Sequence, residues 1–292
     1  MNMAESKDGT GRASVRAPFT CDSKMILFSG RPTSWYEVEM VTGRADLRGN
    51  LVPDSDVNAI GYNVLDNYIY GYDQTANQLV RVGNDGWTDV LTPRPQGLPA
   101  DFYNAGTLDL NGYYYLYVSG EQRFYTVDLR PGSPSYLKLV DPAAGYVEQT
   151  DDYGTALTEP LNIGDWVWSP QENVLYGVAN DGTVYRIYPD GQVTALDTAG
   201  PNPGAAFGAA VMDQNGVLYA VSGGDGTIYR YLIDQNRAQA ARFSSTIQNS
   251  FQDGTMCPYA ALEVDFGDAP DIGGTAGSGN YNTLLTSDGP RH

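Results

Sequence analysis

Acid and amide side chains recur at one point of a repeating unit in this chain. They read Asp54-Ser55-Asp56-Val57-Asn58, Asp101-Phe102-Tyr103-Asn104, Glu159-Pro160-Leu161-Asn162 and Gln252-Asp253-Gly254. If each point starts the innermost strand of a ring, Asp56, Asn58, Asn104, Asn162 and Asp253 face one mouth. Such groups could coordinate a cation such as Ca2+ or hydrogen-bond sugar hydroxyls. Turn chemistry explains the same pattern, because Asn and Asp cap the turns that lead into strands. Glycoside hydrolysis needs two acids across one pocket. Asp56, Asp109, Asp165 and Asp253 have the right chemistry, but no spacing singles out a pair. Tyr103, Tyr153 and Trp166 stand in or beside the same class of loop, where a ring stacks on a sugar face.

Other chemistries are excluded. The single histidine, His292, is the last residue of the sequence, so no Cys–His pair or Ser–His–Asp triad can form within the repeats. Two cysteines without a neighbouring imidazole cannot make a usual zinc site. Thirty-five acidic residues against 17 basic give a net charge of −18, the wrong sign for nucleic acid or anionic membrane. No D-x-[DN]-x-[DN]-G-x5-E loop occurs, so calcium is allowed by residue type and called for by no motif. No cofactor is required.

The elements that must position these groups are strands. Anchors Phe28, Tyr70, Tyr117, Tyr176 and Tyr219 are separated by 42, 47, 59 and 43 residues, and each sits in an apolar run followed by a second one. Four short strands at this period are the mark of a β-propeller blade. The 34 glycines and 17 prolines supply turns, and the 22 tyrosines favour strands. The chain is therefore expected to be all-β: a five-bladed β-propeller over 20–264, with an N-terminal linker arm over 1–19 and an extended tail over 265–292. The opening residues lack the apolar stretch of a signal peptide and are read as linker.

Two irregularities carry the sharper expectations. The first repeat has no strand A of its own, while Asp253–Ala260 carries the missing pattern, so the C-terminal segment is expected to complete blade one. Cys21 and Cys257 then become neighbours within disulfide reach. That bridge points to an oxidising compartment. The long third interval is assigned to Asp141–Gly154, read as a connection from strand D of blade three (Tyr136–Val140) to blade four. On that reading Asp151, Asp152 and Tyr153 lie on a binding rim with Asn162, Asp165 and Trp166.

The tail brings a resemblance. Asp265-Phe266-Gly267-Asp268-Ala269-Pro270-Asp271 and Gly289-Pro290-Arg291-His292 resemble the start of the GEVED-type domain of bacterial extracellular proteins. The region before it resembles an uncharacterised repeat family placed directly upstream of such domains. The resemblance implies one monomeric module of a larger secreted or surface-attached, adhesin-like bacterial protein, and it brings no catalytic residues. The expected role is non-catalytic recognition of a glycan, a peptide or a neighbouring domain through one rim. The alternatives are a propeller lyase or glycosidase using channel carboxylates, or a structural spacer.

Overall fold

The computed structural model describes residues 16–262, apart from 203, 205 and 250. No helix occurs among them, and the strands form a five-bladed propeller. Blade one holds β1 (Met25–Ser29), β2 (Ser34–Val38) and β3 (Ala45–Asn50). Blade two holds β4 (Val57–Asn63), β5 (Tyr68–Asp73), β6 (Gln78–Val82) and β7 (Thr88–Val90). Blade three holds β8 (Ala105–Leu108), β9 (Tyr113–Tyr117) and β10 (Arg123–Asp128), followed by the short pair β11 (Val140–Asp141) and β12 (Val147–Glu148), then β13 (Thr155–Ala156). Blade four runs β14 (Ile163–Trp168), β15 (Leu175–Ala179), β16 (Val184–Ile187) and β17 (Val193–Ala195), and the next strand, β18 (Asp197–Ala199), adds to the outer edge of blade five. Blade five is β19 (Phe207–Met212), β20 (Leu218–Ser222), β21 (Thr227–Asp234) and β22 (Arg237–Ser245), and the last strand is β23 (Gln252–Thr255).

β23 pairs antiparallel with β1, Phe28 opposite Asp253, and so supplies the inner strand of blade one. The expected closure is present. Cys21 and Cys257 are disulfide-bonded, with Cα atoms 5.1 Å apart and a sequence separation of 236. The bond fastens the closing strand to the segment that enters blade one.

Five apolar cores lie between adjacent blades rather than within them. Phe28 packs between blades one and two, Tyr70 between two and three, and Tyr117 between three and four; Tyr176 and Tyr219 fill the next two interfaces. The repeated anchor is therefore the residue that glues each blade to the next. Aspartates at the turns account for part of the acidity. Asp66, Asp85, Asp181, Asp190 and Asp225 each accept, through Oδ1, the backbone N–H two residues on.

One sequence expectation is corrected. The outer strand of blade three is not Tyr136–Val140 alone. The far end of β10 pairs with the chain near Leu139, while its start pairs with β13, Phe124 opposite Thr155. The β11–β12 hairpin is spliced between those two pieces, so the long third interval interrupts strand D instead of lengthening the D-to-A connection. Physically, an edge strand tolerates interruption because only one neighbour depends on its ladder.

Of the expected arm over 1–19, residues 1–15 lie outside the described residues. The remainder is seated on the propeller. Arg16 lies over the Trp87 ring at 4.3 Å and pairs with Asp89 at 3.3 Å, and Phe19 meets the Trp35 ring edge-on. The tail over 265–292, with both resemblance segments, also lies outside the described residues.

Candidate functional site: the mouth of the ring

The inner strands β23, β4, β8, β14 and β19 contact one another in a closed circle. Glycines allow this approach. A Cβ on Gly106 would collide with the carbonyl oxygen of Ala59, and one on Gly164 with that of Phe207. Both contacts fall where β4, β14 and β19 carry register shifts, which redirect backbone N–H groups out of the ladder. The axis is consequently filled a few residues in from the strand starts.

The filling is chemical as well as steric. Asp165 accepts N–H bonds from Trp166 at Oδ1 and from Ala210 of blade five at Oδ2, each at 2.7 Å. Asp253 takes the N–H of Ile60, in blade two, at 2.8 Å. Its Oδ1 has no donor among the described residues, and a proton held between it and the Asp165 carboxyl would complete the pair. Burial pushes both carboxyls well above the usual carboxylate range, and for Asp165 the neighbouring Asp253 adds to the rise. Tyr114 donates its hydroxyl to the Ala59 carbonyl beside them, and burial raises its phenol too. The acids at the axis are thus cross-braces between blades.

Above this floor opens a depression of about 260 Å³. Asn58, Asn104, Asn162, Ile163, Gly164, Phe207, Gly208 and Gln252 line it from the strand starts, and Ser119 and Asn180 from the B-to-C turns. Phe102 and Phe251 flank it, 44% and 49% exposed respectively. The amides are held in place. Asn104 donates to the carbonyls of Ile163 and Gly164 and accepts from Ser119 N–H, so it links blades three and four. Gln252 donates Nε2 to Ile247 O at 2.8 Å, while its Oε1 and the Oδ1 of Asn180 have no donor. Arg31 stands between the two phenyl rings, 4.8 Å from Phe102 and 4.2 Å from Phe251, and its Nε reaches Asp56 at 3.1 Å. Burial pushes the Asp56 carboxyl up, and the Arg31 charge opposes that.

The sequence-derived candidates divide sharply. Asn58, Asn104 and Asn162 converge on the mouth, and Asp56 stands beside it in the Arg31 pair. Asp165 and Asp253 lie beneath the floor, 0% and 1% exposed. Tyr103 and Trp166 are corrected as stacking residues: both are wholly buried, packed edge-on against Tyr72 and Phe124 respectively. Asp151, Asp152 and Tyr153 belong to the segment returning from the β11–β12 hairpin to the outer strand of blade three. Asp152 pairs there with Arg123 at 2.9 Å, and Tyr153 covers Gly97. Sequence reasoning does not single out Arg31, Phe102, Ser119, Asn180, Phe251 or Gln252. Three of them, Arg31, Ser119 and Asn180, occupy the turn after strand B in blades one, three and four, a repeat position that also faces the mouth.

No group of three or more His, Cys, Asp or Glu among the described residues is placed to hold a metal ion. No helix among them is long and apolar enough to cross a membrane.

The family described as "Repeat of unknown function (DUF6923)" matches residues 27–259. The comparison with curated proteins returns no match. Among solved structures, a streptogramin B lyase is 14% identical over 79% of this chain and 71% of its own, with a TM-score of 0.44. A gluconolactonase, XC5397 from Xanthomonas campestris, is 13% identical over 80% and 74%, with a TM-score of 0.44. A protein of unknown function from Bacteroides thetaiotaomicron is 12% identical over 84% and 66%, with a TM-score of 0.49.

Proposed function

Since the chain belongs to the DUF6923 family of repeats of unknown function, whose description names no activity, we propose from its own site that it is a non-catalytic recognition module that binds a glycan at the mouth of the ring. One observation carries this reading: the mouth is lined by amides from several blades and flanked by two exposed phenyl rings. Amides and aromatic rings together suit a pyranose, which presents hydroxyls around an apolar face. The enzyme reading needs carboxylates that reach a substrate, and the paired acids Asp165 and Asp253 are sealed beneath the floor by backbone donors.

The disulfide supports an oxidising, extracellular setting. The GEVED-like segments at 265–271 and 289–292 support placement as one monomeric module of a larger surface or secreted bacterial protein, in an adhesin-like role. No cofactor is required for such binding. A glycan array probed with the folded protein, with and without Ca2+, tests the reading. We expect glycan signals that Phe251→Ala and Asn162→Ala diminish at least tenfold while thermal stability stays unchanged. Silence across the array, with capture of peptides instead, would overturn it.

A further inference from the structure

Of the described side-chain atoms that line the mouth, the two that are buried without a partner are both carbonyl oxygens. Gln252 is 5% exposed, and its Nε2 is committed to Ile247 O, yet its Oε1 finds no donor. Asn180 Oδ1, across the depression, is likewise without one. The donor atoms of Asn104 are already spent on two backbone carbonyls. Among the described residues, no basic side chain lines the depression. The nearest guanidinium, that of Arg31, is balanced by Asp56 and held between Phe102 and Phe251. A ligand hydroxyl that reaches such a carbonyl supplies the donor that the protein does not. The carboxylate of an acidic sugar brings no proton to donate, meets no free cation here, and approaches a chain of net charge −18.

Resting on the glycan reading of the same site, we infer that the mouth selects uncharged sugars, whose hydroxyls donate to the side-chain oxygens of Gln252 and Asn180, and rejects acidic ones. A modest rotation of the Asn180 amide turns its oxygen from the wall into the depression, where a sugar hydroxyl replaces the missing donor, whereas Gln252 does so only by giving up its Nε2 bond to Ile247 O. The selectivity is then set by unpaired acceptors, the type of group that most strongly penalises a ligand unable to satisfy it.

The test is calorimetric titration of the disulfide-intact protein with neutral hexaoses of glucose, mannose and N-acetylglucosamine, in parallel with hexagalacturonate. At least one neutral hexaose is expected to bind at least tenfold more tightly than hexagalacturonate. Asn180→Leu should weaken the neutral ligand about tenfold, whereas Asn180→Asp, which keeps the acceptor, should stay within about threefold of the parent. Asn180 sits in a turn, so both variants are expected to fold, and near-UV circular dichroism checks that they do. Preference for hexagalacturonate overturns the donor inference and leaves the glycan site standing. Equal loss in both Asn180 variants overturns the role of its oxygen. Silence toward all four ligands overturns the inference and the glycan reading together.

Discussion

Gln252 and Asp253 are adjacent on one strand, yet they serve opposite ends of the design. The first lines the open mouth; the second is sealed beneath it and braces blade one to blade two through Ile60 N–H. Blade four repeats the contrast, with Asn162 exposed at the strand start and Asp165 three residues on, wholly buried and bonded to Ala210 of blade five. The chemically stronger groups went to the scaffold, and the neutral amides went to the wall of the mouth. The reason lies in the axis. Register shifts on β4 and β19 turn N–H groups inward, and a carboxyl oxygen satisfies such donors better than a neutral amide does. Floor residues should therefore govern stability and mouth residues binding, and that division can be broken experimentally.

The largest effect is expected where floor and mouth share one support. β23 carries both Gln252 and Asp253, and the Cys21–Cys257 bond ties it down across a sequence separation of 236. In the chain-entropy account, closing a loop of that size stabilises by about 5 kcal/mol. The double variant Cys21→Ser/Cys257→Ser should lose on the order of that amount in chemical denaturation, and should lose ligand binding when the closing strand frays. Denaturation midpoints that match the parent would show that pairing of β23 with β1 suffices alone.

Next comes a direct comparison of the two layers. Asp165→Ala strips two backbone donors of their acceptor at a fully buried position and should cost about 3 kcal/mol or more. Asn162→Ala removes an exposed amide whose one bond is the long contact from Ser119 Oγ at 3.3 Å, and should cost no more than about 0.5 kcal/mol. Comparable losses in urea melts of the two variants would erase the distinction between floor and mouth.

How much of this is legible in the sequence follows from the same contrast. The repeat of Phe28, Tyr70, Tyr117, Tyr176 and Tyr219 is readable because every blade interface makes the same packing demand. Closure by β23 and the Cys21–Cys257 bond are readable because the first repeat lacks one strand. Asn58, Asn104 and Asn162 can be found because strand starts share one register. What escapes is depth. Three residues separate Asn162 from Asp165, and alternation alone does not say that glycine contacts such as Gly164 against Phe207 close the axis between them. Arg31, Phe102 and Phe251 come together only through the ring, from three separate connections. The hairpin in blade three is misplaced by the sequence reading because a split edge strand and a long loop have the same sequence length.

The smallest effect sharpens the floor itself. Asp165 and Asp253 titrate above the usual carboxylate range in the folded protein, because burial disfavours their charged forms and, at Asp165, because Asp253 adds repulsion. Burial likewise raises Asp109 to about 6. A carboxyl with a raised folded-state pKa contributes stability that is complete below its unfolded value of 3.8 and is lost as pH climbs through the folded value. Stability should therefore decline from about pH 4 upward, the Asp109 share fading by about pH 6 and the axial pair continuing beyond it. Asp253→Asn keeps a side-chain oxygen for Ile60 N–H and supplies a permanent N–H toward Asp165, replacing the shared proton. The variant should match the parent near pH 5 and melt at a higher temperature at pH 8, with a shallower slope between. Asp109→Asn should flatten only the lower part of the profile. A parent whose melting temperature rises from pH 5 to pH 8, with Asp253→Asn running parallel to it, would mean that the axial carboxyls are held as ions and that the floor is braced by charge instead of by a shared proton.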